Sequence, residues 1–139
     1  KCHITRITIA HTGTHVDPTN TIPNGIGIDK EPPDKFIGEA VVLDVSTIQN
    51  GHGITSSNLK KYISIVKSGD IVLLYTDTSQ IVLNGVENSN KNEYEKTRSD
   101  FIYLEPSAAD WIVNHDIKCV GIDTLSIERE DFTEGIIHI

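Results

Sequence analysis

The chain has 139 residues, a length that favours a single domain over residues 1–139. Its formal net charge of −8 at pH 7 argues against a nucleic-acid or anionic-membrane partner, because both require a basic face. No apolar run approaches the roughly 20 residues of a membrane span, and no signal peptide opens the chain. We therefore expect a cytoplasmic protein with neither membrane nor nucleic acid as a partner.

The first part of the chain is predicted to be a strand followed by a long loop. Apolar and polar residues alternate over residues 4–10, which indicates a strand with one buried face. Residues 11–35 are rich in Pro, Gly and Asn, and a loop of that length in a compact domain is usually functional or disordered. The apolar run within 39–46 then predicts a buried strand.

A helix and a second buried strand are predicted next. Thr55 or Ser56 can cap a helix that ends near Gly69. One face of that helix carries Leu59, Tyr62, Ile63 and Val66. Residues 71–75 are predicted to be the strand. The polar residues 77–100 indicate an excursion that is either a lid, an oligomer contact or a disordered segment.

The last part of the chain predicts one more helix and one more strand. Ser107 can cap a short helix that buries Ala108, Trp111 and Ile112. Residues 118–122 predict a third buried strand, ending at Asp123. Strands that alternate with amphipathic helices indicate an α/β fold with an at least partly parallel sheet.

One short stretch carries most of the chemistry: His11-Thr12-Gly13-Thr14-His15-Val16-Asp17. Gly13 and the β-branched threonines are poor helix formers, so a loop leaving a strand is predicted. Such a loop can turn two imidazoles and a carboxylate towards one point, a ligand set that suits zinc, manganese or iron(II). The alternative is two surface histidines and a turn aspartate. We favour the metal site.

Four motifs resemble the metal-dependent cyclase family, which includes bacterial-type kynurenine formamidase and isatin hydrolase. They are H-T-G-T-H-V-D from His11, F-I-G-E-A-V-V-L-D-V from Phe36, G-D-I-V-L-L from Gly69 and V-G-I-D-T-L-S-I from Val120. The resemblance implies a swivelling β/β/α fold assembled as a homodimer or homotetramer. It also implies that family members extend before Lys1 and beyond Ile139.

The resemblance further implies a ligand set. His11, His15 and Asp17 would bind one metal, with zinc preferred and manganese possible. Asp17 would bridge to a second metal held by His138 and by a Glu beyond Ile139. His138 lies in an apolar setting, where a histidine is otherwise more often a hydrogen-bonded core residue.

Two further residues are candidates for the catalytic step. Asn20 occupies the position of the family's general-base His, and an amide cannot take a proton at neutral pH. Ser126 follows the third predicted buried strand, at the edge of an α/β sheet where sites gather, although a turn or cap role is the alternative. His52 could replace the base or be solvated, His115 is interpreted as a surface residue, and Glu128 is interpreted as part of a solvated acidic face.

Three hypotheses remain. The first is a metal-dependent amidohydrolase acting on an amide or cyclic amide, of the arylformamidase (N-formylkynurenine) type. The second is a metal-binding family member without hydrolase activity, in a binding or structural role, which Asn20 favours. The third is an α/β scaffold in which the histidine spacing arose by chance.

Overall fold

Three parallel strands form the central sheet of the computed structural model, which describes residues 13–19, 24–80 and 100–129. The strands are β1 (Ala40–Asp44), β2 (Gly53–Ile54), β3 (Ile71–Tyr75), β4 (Tyr103–Leu104) and β5 (Cys119–Ile122), and the helices are α1 (Ser56–Lys60) and α2 (Pro106–Asn114). A 3-10 helix covers Pro33–Phe36. Among these elements, β1, β3 and β5 are the three strands that the sequence predicts as buried, but only one face of β1 and β3 is buried and all residues of β5 are partly exposed.

The central sheet has the strand order β1-β3-β5, and both pairings are parallel. This confirms the predicted α/β class with a parallel sheet. In the registers, Asp44 faces Tyr75 and Leu74 faces Ile122, so the three strands end side by side. The loops that follow the strands therefore meet at one carboxyl edge, the usual location of sites in such sheets.

The helices pack on one face of this sheet. Leu43, Val72 and Leu74 are nearly fully buried against that layer. The helical side of the same core is formed by Leu59, Ala108, Ala109, Trp111 and Ile112. On the opposite face, Val42 is 61% exposed and Leu73 is 40% exposed. The strand alternation thus sorts the side chains into a core face and an open face.

Helix α1 is shorter than its apolar pattern predicts. It ends at Lys60, and the chain continues in tight turns, such as the bond from Ile63 N–H to Lys60 O. Three-residue turns rotate the following side chains out of the helical phase. Leu59 and Val66 are buried as predicted, but Ile63 is 52% exposed, so its placement on the buried face was wrong.

Helix α2 begins two residues earlier than predicted. Its N-terminal cap is Glu105, with Pro106 at the first helical position, so the prediction that Ser107 caps it was wrong. Proline is favoured there because that position needs no N–H donor. Ser107 Oγ instead accepts a hydrogen bond from Ser56 N–H at 3.2 Å, which joins the starts of the two helices.

A second, two-stranded parallel sheet pairs β2 with β4. The sequence did not predict it, because two-residue strands have no periodicity to detect. The predicted strand at 4–10 and residues 81–99 of the polar excursion lie outside the described residues. Within the described ranges, no helix has the length and apolarity needed to cross a membrane.

Candidate metal centre

His15 and Asp17 form the best-defined part of the predicted metal site. The His15 Nδ1 atom lies 2.7 Å from Gly13 O, and its Nε2 atom lies 3.4 Å from Asp17 Oδ1. A carbonyl oxygen only accepts hydrogen bonds, so Nδ1 carries the proton in the neutral ring and the Nε2 lone pair faces the carboxylate. A backbone carbonyl that fixes the imidazole in this way is the usual outer partner of a metal-binding histidine.

The spacing of these two atoms fits a shared ion. Two ligands of a tetrahedral zinc, each about 2.1 Å from the metal, lie about 3.4 Å apart. His15 and Asp17 place Nε2 and Oδ1 at 3.4 Å, and both side chains are about one-third exposed, at 34% and 35%. The same distance would also suit an ion pair with a protonated imidazole. A neutral imidazole and a carboxylate at this distance fit a divalent metal.

The turn at Gly13 makes this arrangement accessible. Gly13 has a φ of +66°, a left-handed conformation that glycine adopts without the penalty of a side chain. The turn directs the Gly13 carbonyl towards the ring of His15 two residues later. The glycine of the H-x-G-T-H motif is therefore explained by the left-handed turn that brings its carbonyl to the His15 ring.

The structure leaves three of the predicted site residues untested. His11, Asn20 and His138 lie outside the residues that the structure describes, so their predicted roles stay predictions. Within 13–19, 24–80 and 100–129, no group of three or more His, Cys, Asp or Glu side chains could hold a metal ion. The His15–Asp17 pair thus supplies two donors and needs further ligands from the rest of the protein.

Ser126 is half-buried after β5. Its Oγ accepts a hydrogen bond from Glu128 N–H at 3.2 Å, and its carbonyl accepts one from Thr124 Oγ1 at 2.8 Å. An accepting hydroxyl still carries its own hydrogen, so Ser126 can donate to a bound molecule. The structure thus shows the turn role that was the alternative for Ser126, and the catalytic role stays a prediction.

Two predictions about the solvent exposure of side chains were wrong. Glu128 is only 8% exposed, so it does not belong to a solvated acidic face. His115 is half-buried: its ring stacks on Trp111 with 4.1 Å between the centroids, and its Nδ1 lies 2.6 Å from Trp111 O. His52 is exposed, and its Nδ1 lies 3.2 Å from Asn50 O.

Acidic side chains follow all three strands at the carboxyl edge of the sheet. The Asp44 carboxylate accepts bonds from Ser46 Oγ at 2.6 Å and Ser46 N–H at 3.0 Å, and these bonds lower the pKa of Asp44. The Tyr75 hydroxyl donates to Asp77 Oδ1 at 2.6 Å, and this bond raises the pKa of Tyr75. The described carboxylates here are thus bonded to the chain's own groups.

Glu31 is a residue that the sequence analysis missed. It lies in the long predicted loop and is 6% exposed. Its carboxylate is bonded to Lys35 and Thr19, and both interactions lower the pKa of Glu31. The sequence signal was the i,i+4 pairing of Glu31 with Lys35 beside two prolines, which marks an ordered turn.

Comparison with known families gives one match. The family named Cyclase, described as "Putative cyclase", matches residues 4–129. No curated protein matches the chain.

Several solved structures share the fold. A structure described as a potential metal-dependent hydrolase with cyclase activity is 26% identical, with a TM-score of 0.71, and the match covers 95% of this chain and 57% of that one. Isatin hydrolase A from Labrenzia aggregata is 24% identical (TM-score 0.67), with 85% of this chain and 49% of that one covered. Isatin hydrolase A from Ralstonia solanacearum is 21% identical (TM-score 0.70), with 92% and 54% covered.

The chain therefore spans about half the length of the solved structures that it matches. The matched family residues include the H-x-G-T-H-x-D stretch and the three parallel strands described above. Because the family model matches residues 4–129 of the 139, the chain belongs to the cyclase family.

Proposed function

We propose that this chain carries the metal-binding segment of a metal-dependent hydrolase that acts on an amide or cyclic amide. The observation that carries the proposal is the convergence of His15 Nε2 and Asp17 Oδ1 at 3.4 Å within the H-x-G-T-H-x-D stretch. The solved structure described as a metal-dependent hydrolase, at 26% identity, supports the same class of reaction. The finer proposal is a cytoplasmic, arylformamidase-like enzyme whose small-molecule substrate is an N-formyl compound.

The chain's own residues have distinct tasks in this proposal. His11, His15 and Asp17 would hold one metal, with zinc preferred over manganese, and His138 would hold a second metal together with Asp17. When bound, a divalent metal supplies a Lewis acid that polarises the substrate carbonyl and acidifies water. The Gly13 carbonyl holds the proton of His15 at Nδ1, which keeps Nε2 available as a ligand.

Two further residues would act on the substrate. The Ser126 hydroxyl would donate a hydrogen bond to a substrate oxygen, since its oxygen already accepts one from Glu128 N–H. Asn20 would orient the substrate or water through its amide. Because an amide cannot accept a proton at neutral pH, proton removal would be slow or would use another group.

A second candidate is a metal-binding protein of this family without hydrolase activity. Asn20, where the family has its general-base His, favours this candidate, because base catalysis typically contributes a rate factor of about 10²–10⁴. Both candidates require the same metal ligands and differ only in turnover.

The first experiment measures metal content. His15→Ala should lose stoichiometric zinc or manganese in elemental analysis of the purified protein. His52→Ala is the matched control, because His52 also places Nδ1 near a carbonyl two residues earlier and is exposed. Equal metal content in wild type and His15→Ala would refute the proposed ligand.

The second experiment separates the two candidates. Metal-loaded wild type is assayed with N-formylkynurenine and with isatin, in added zinc and in added manganese. Hydrolysis that disappears in His15→Ala supports the enzyme. Full metal content without hydrolysis of either compound supports the binding protein.

A further inference from the structure

The carboxylate of Glu31 is almost completely out of water, with its side chain 1% exposed. Its Oε1 atom accepts hydrogen bonds from Thr19 Oγ1 at 2.5 Å and from Thr19 N–H at 3.3 Å. Its Oε2 atom lies 2.7 Å from Lys35 Nζ. A buried carboxylate needs such partners. Thr19 supplies two of the bonds, so the position of Thr19 is tied to that of Glu31.

The Thr19 hydroxyl joins a third point of the loop to this contact. Its oxygen accepts a hydrogen bond from Ile26 N–H at 3.0 Å while its hydrogen is donated to Glu31. Thr19, Ile26 and Glu31 are thereby held together although they are far apart in sequence. Side-chain hydrogen bonds thus connect Thr19 to the described residues 26 and 31 of the loop.

The contact between Glu31 and Thr19 lies next to the proposed metal ligands in the sequence. Thr19 follows Asp17 after a single residue, Pro18, whose ring fixes its own φ near −65° and restricts the backbone of Asp17 to extended conformations. We propose that Glu31 is a positioning residue: through Thr19 it holds the Asp17 side of the His15–Asp17 pair in place before a metal binds. The proposal rests on the proposed function, since it assigns Glu31 a role towards that metal.

A purely structural role for Glu31 makes a different prediction. If Glu31 only stabilises the fold, its replacement lowers the free energy of unfolding and leaves the metal affinity of folded molecules unchanged. If Glu31 positions Asp17, the folded variant holds its ligand segment loosely and binds metal more weakly. Loss of outer partners of metal ligands typically weakens metal affinity by about 10–100-fold.

The experiment compares four variants of the full chain. Glu31→Gln keeps the shape but removes the charge that Lys35 and Thr19 contact, and Thr19→Val removes only the hydroxyl. Thr19→Ser restores that hydroxyl and serves as the rescue. Asp70→Asn is the matched control, because Asp70 is also buried, at 8% exposure, and accepts a hydrogen bond from Lys67 N–H at the other edge of the sheet.

Two measurements are made on each variant: the zinc dissociation constant by calorimetry, and hydrogen exchange of residues 13–19 and 71–75 by mass spectrometry without metal. Glu31→Gln and Thr19→Val should each raise the zinc dissociation constant roughly tenfold. They should also speed exchange at 13–19 while leaving 71–75 unchanged. Thr19→Ser and Asp70→Asn should stay within about twofold of wild type in zinc affinity.

Either of two results overturns the positioning role. One is unchanged exchange at 13–19 in Glu31→Gln. The other is faster exchange there with unchanged zinc affinity. A wild-type chain that binds neither zinc nor manganese refutes the proposed function and with it the role of Glu31 towards the metal. The exchange data then still report whether Glu31 holds residues 13–19 in place, so the two failures are distinguishable.

Discussion

Asp123 and Thr76 are joined by two hydrogen bonds to one carboxylate oxygen. The N–H and the Oγ1 of Thr76 each lie 2.7 Å from Asp123 Oδ1. Thr76 follows β3 and is 3% exposed, and Asp123 follows β5. The link therefore extends the pairing of these strands beyond Leu74 and Ile122, their last backbone partners. Asp123 braces the edge of the sheet where the loops meet.

We predict that Asp123→Ala destabilises the fold. It leaves the buried N–H of Thr76 without its acceptor, and the Thr76 hydroxyl keeps only Thr78 Oγ1, 2.7 Å away, as a partner. Hydrogen bonds to charged groups contribute about 1.5–3 kcal/mol each before relaxation. A loss of roughly 2–3 kcal/mol in the free energy of unfolding is expected from urea denaturation. Asp123→Asn keeps an oxygen acceptor and should lose less. Equal stability of wild type and Asp123→Ala would contradict the brace.

A second prediction concerns pH and Tyr75. Its hydroxyl donates to Asp77 Oδ1, and this bond, with the nearby charges of Asp77, Asp123 and Asp44, raises the pKa of Tyr75. A pKa raised by folding means that the stabilisation is fully present below the unfolded value of about 10 and is lost as pH rises through the folded pKa. The stability difference between wild type and Tyr75→Phe should therefore be constant at neutral pH and shrink above about pH 10.

Spectrophotometric titration of tyrosinate checks this directly. The curve of wild type minus that of Tyr75→Phe should have a midpoint above the ordinary value. Asp77→Asn should lower this midpoint, because it removes the nearest charge; asparagine tolerates the left-handed φ of +68° at this position. A midpoint at the ordinary value in wild type would show that the hydroxyl of Tyr75 is not held by Asp77.

The sequence predicted the central sheet well because its strands carry their own signal. The runs at 40–45, 71–75 and 118–122 are mostly apolar and bounded by turn residues, a pattern that predicts strands although only one face of β1 and β3 is buried. Ile63 was misplaced because a helix that ends early changes the phase of every later side chain. That ending depends on tertiary contacts, which the pattern does not contain.

The site was predictable where its geometry is local. His15, Gly13 and Asp17 lie within five residues, so the glycine turn and the ring orientation follow from neighbouring residues. The burial of Glu31 was not predictable, because it depends on a contact with Thr19 twelve positions earlier. The i,i+4 spacing of Glu31 and Lys35 indicates only an ordered turn, in which a carboxylate is otherwise expected to be solvated.

A third prediction concerns assembly. The proposed metal-ligand segment lies in the long predicted loop, where Val16 is 48% exposed and Ile28 is 53% exposed. We expect part of that loop to be buried against a partner subunit, because exposed apolar side chains near a site are typical of contact surfaces. Sedimentation at micromolar concentration should show at least a dimer. A single monomeric species would contradict this.

The last prediction concerns Asn20, the neighbour of the anchored Thr19. If the metal site hydrolyses amides without a base at this position, Asn20→His should raise the rate at neutral pH. Neutral imidazole has a pKa near 6.5 and can accept the proton of the attacking water. The gain should appear in kcat more than in KM, because the proton moves only in the transition state.

The pH profile of Asn20→His separates base catalysis from other effects of the substitution. A new inflection near the imidazole pKa should accompany the higher kcat, and Asn20→Gln, which keeps an amide, should lack it. Metal content is measured in parallel, because an added imidazole could also bind the ion.

An unchanged rate and an unchanged pH profile at full metal content would show that Asn20 does not occupy the base position. Either another residue then supplies the base, or the Pro18-Thr19-Asn20 stretch is not equivalent to the family's P-x-H. Loss of activity in Asn20→Ala alone would instead assign the amide to orienting the substrate.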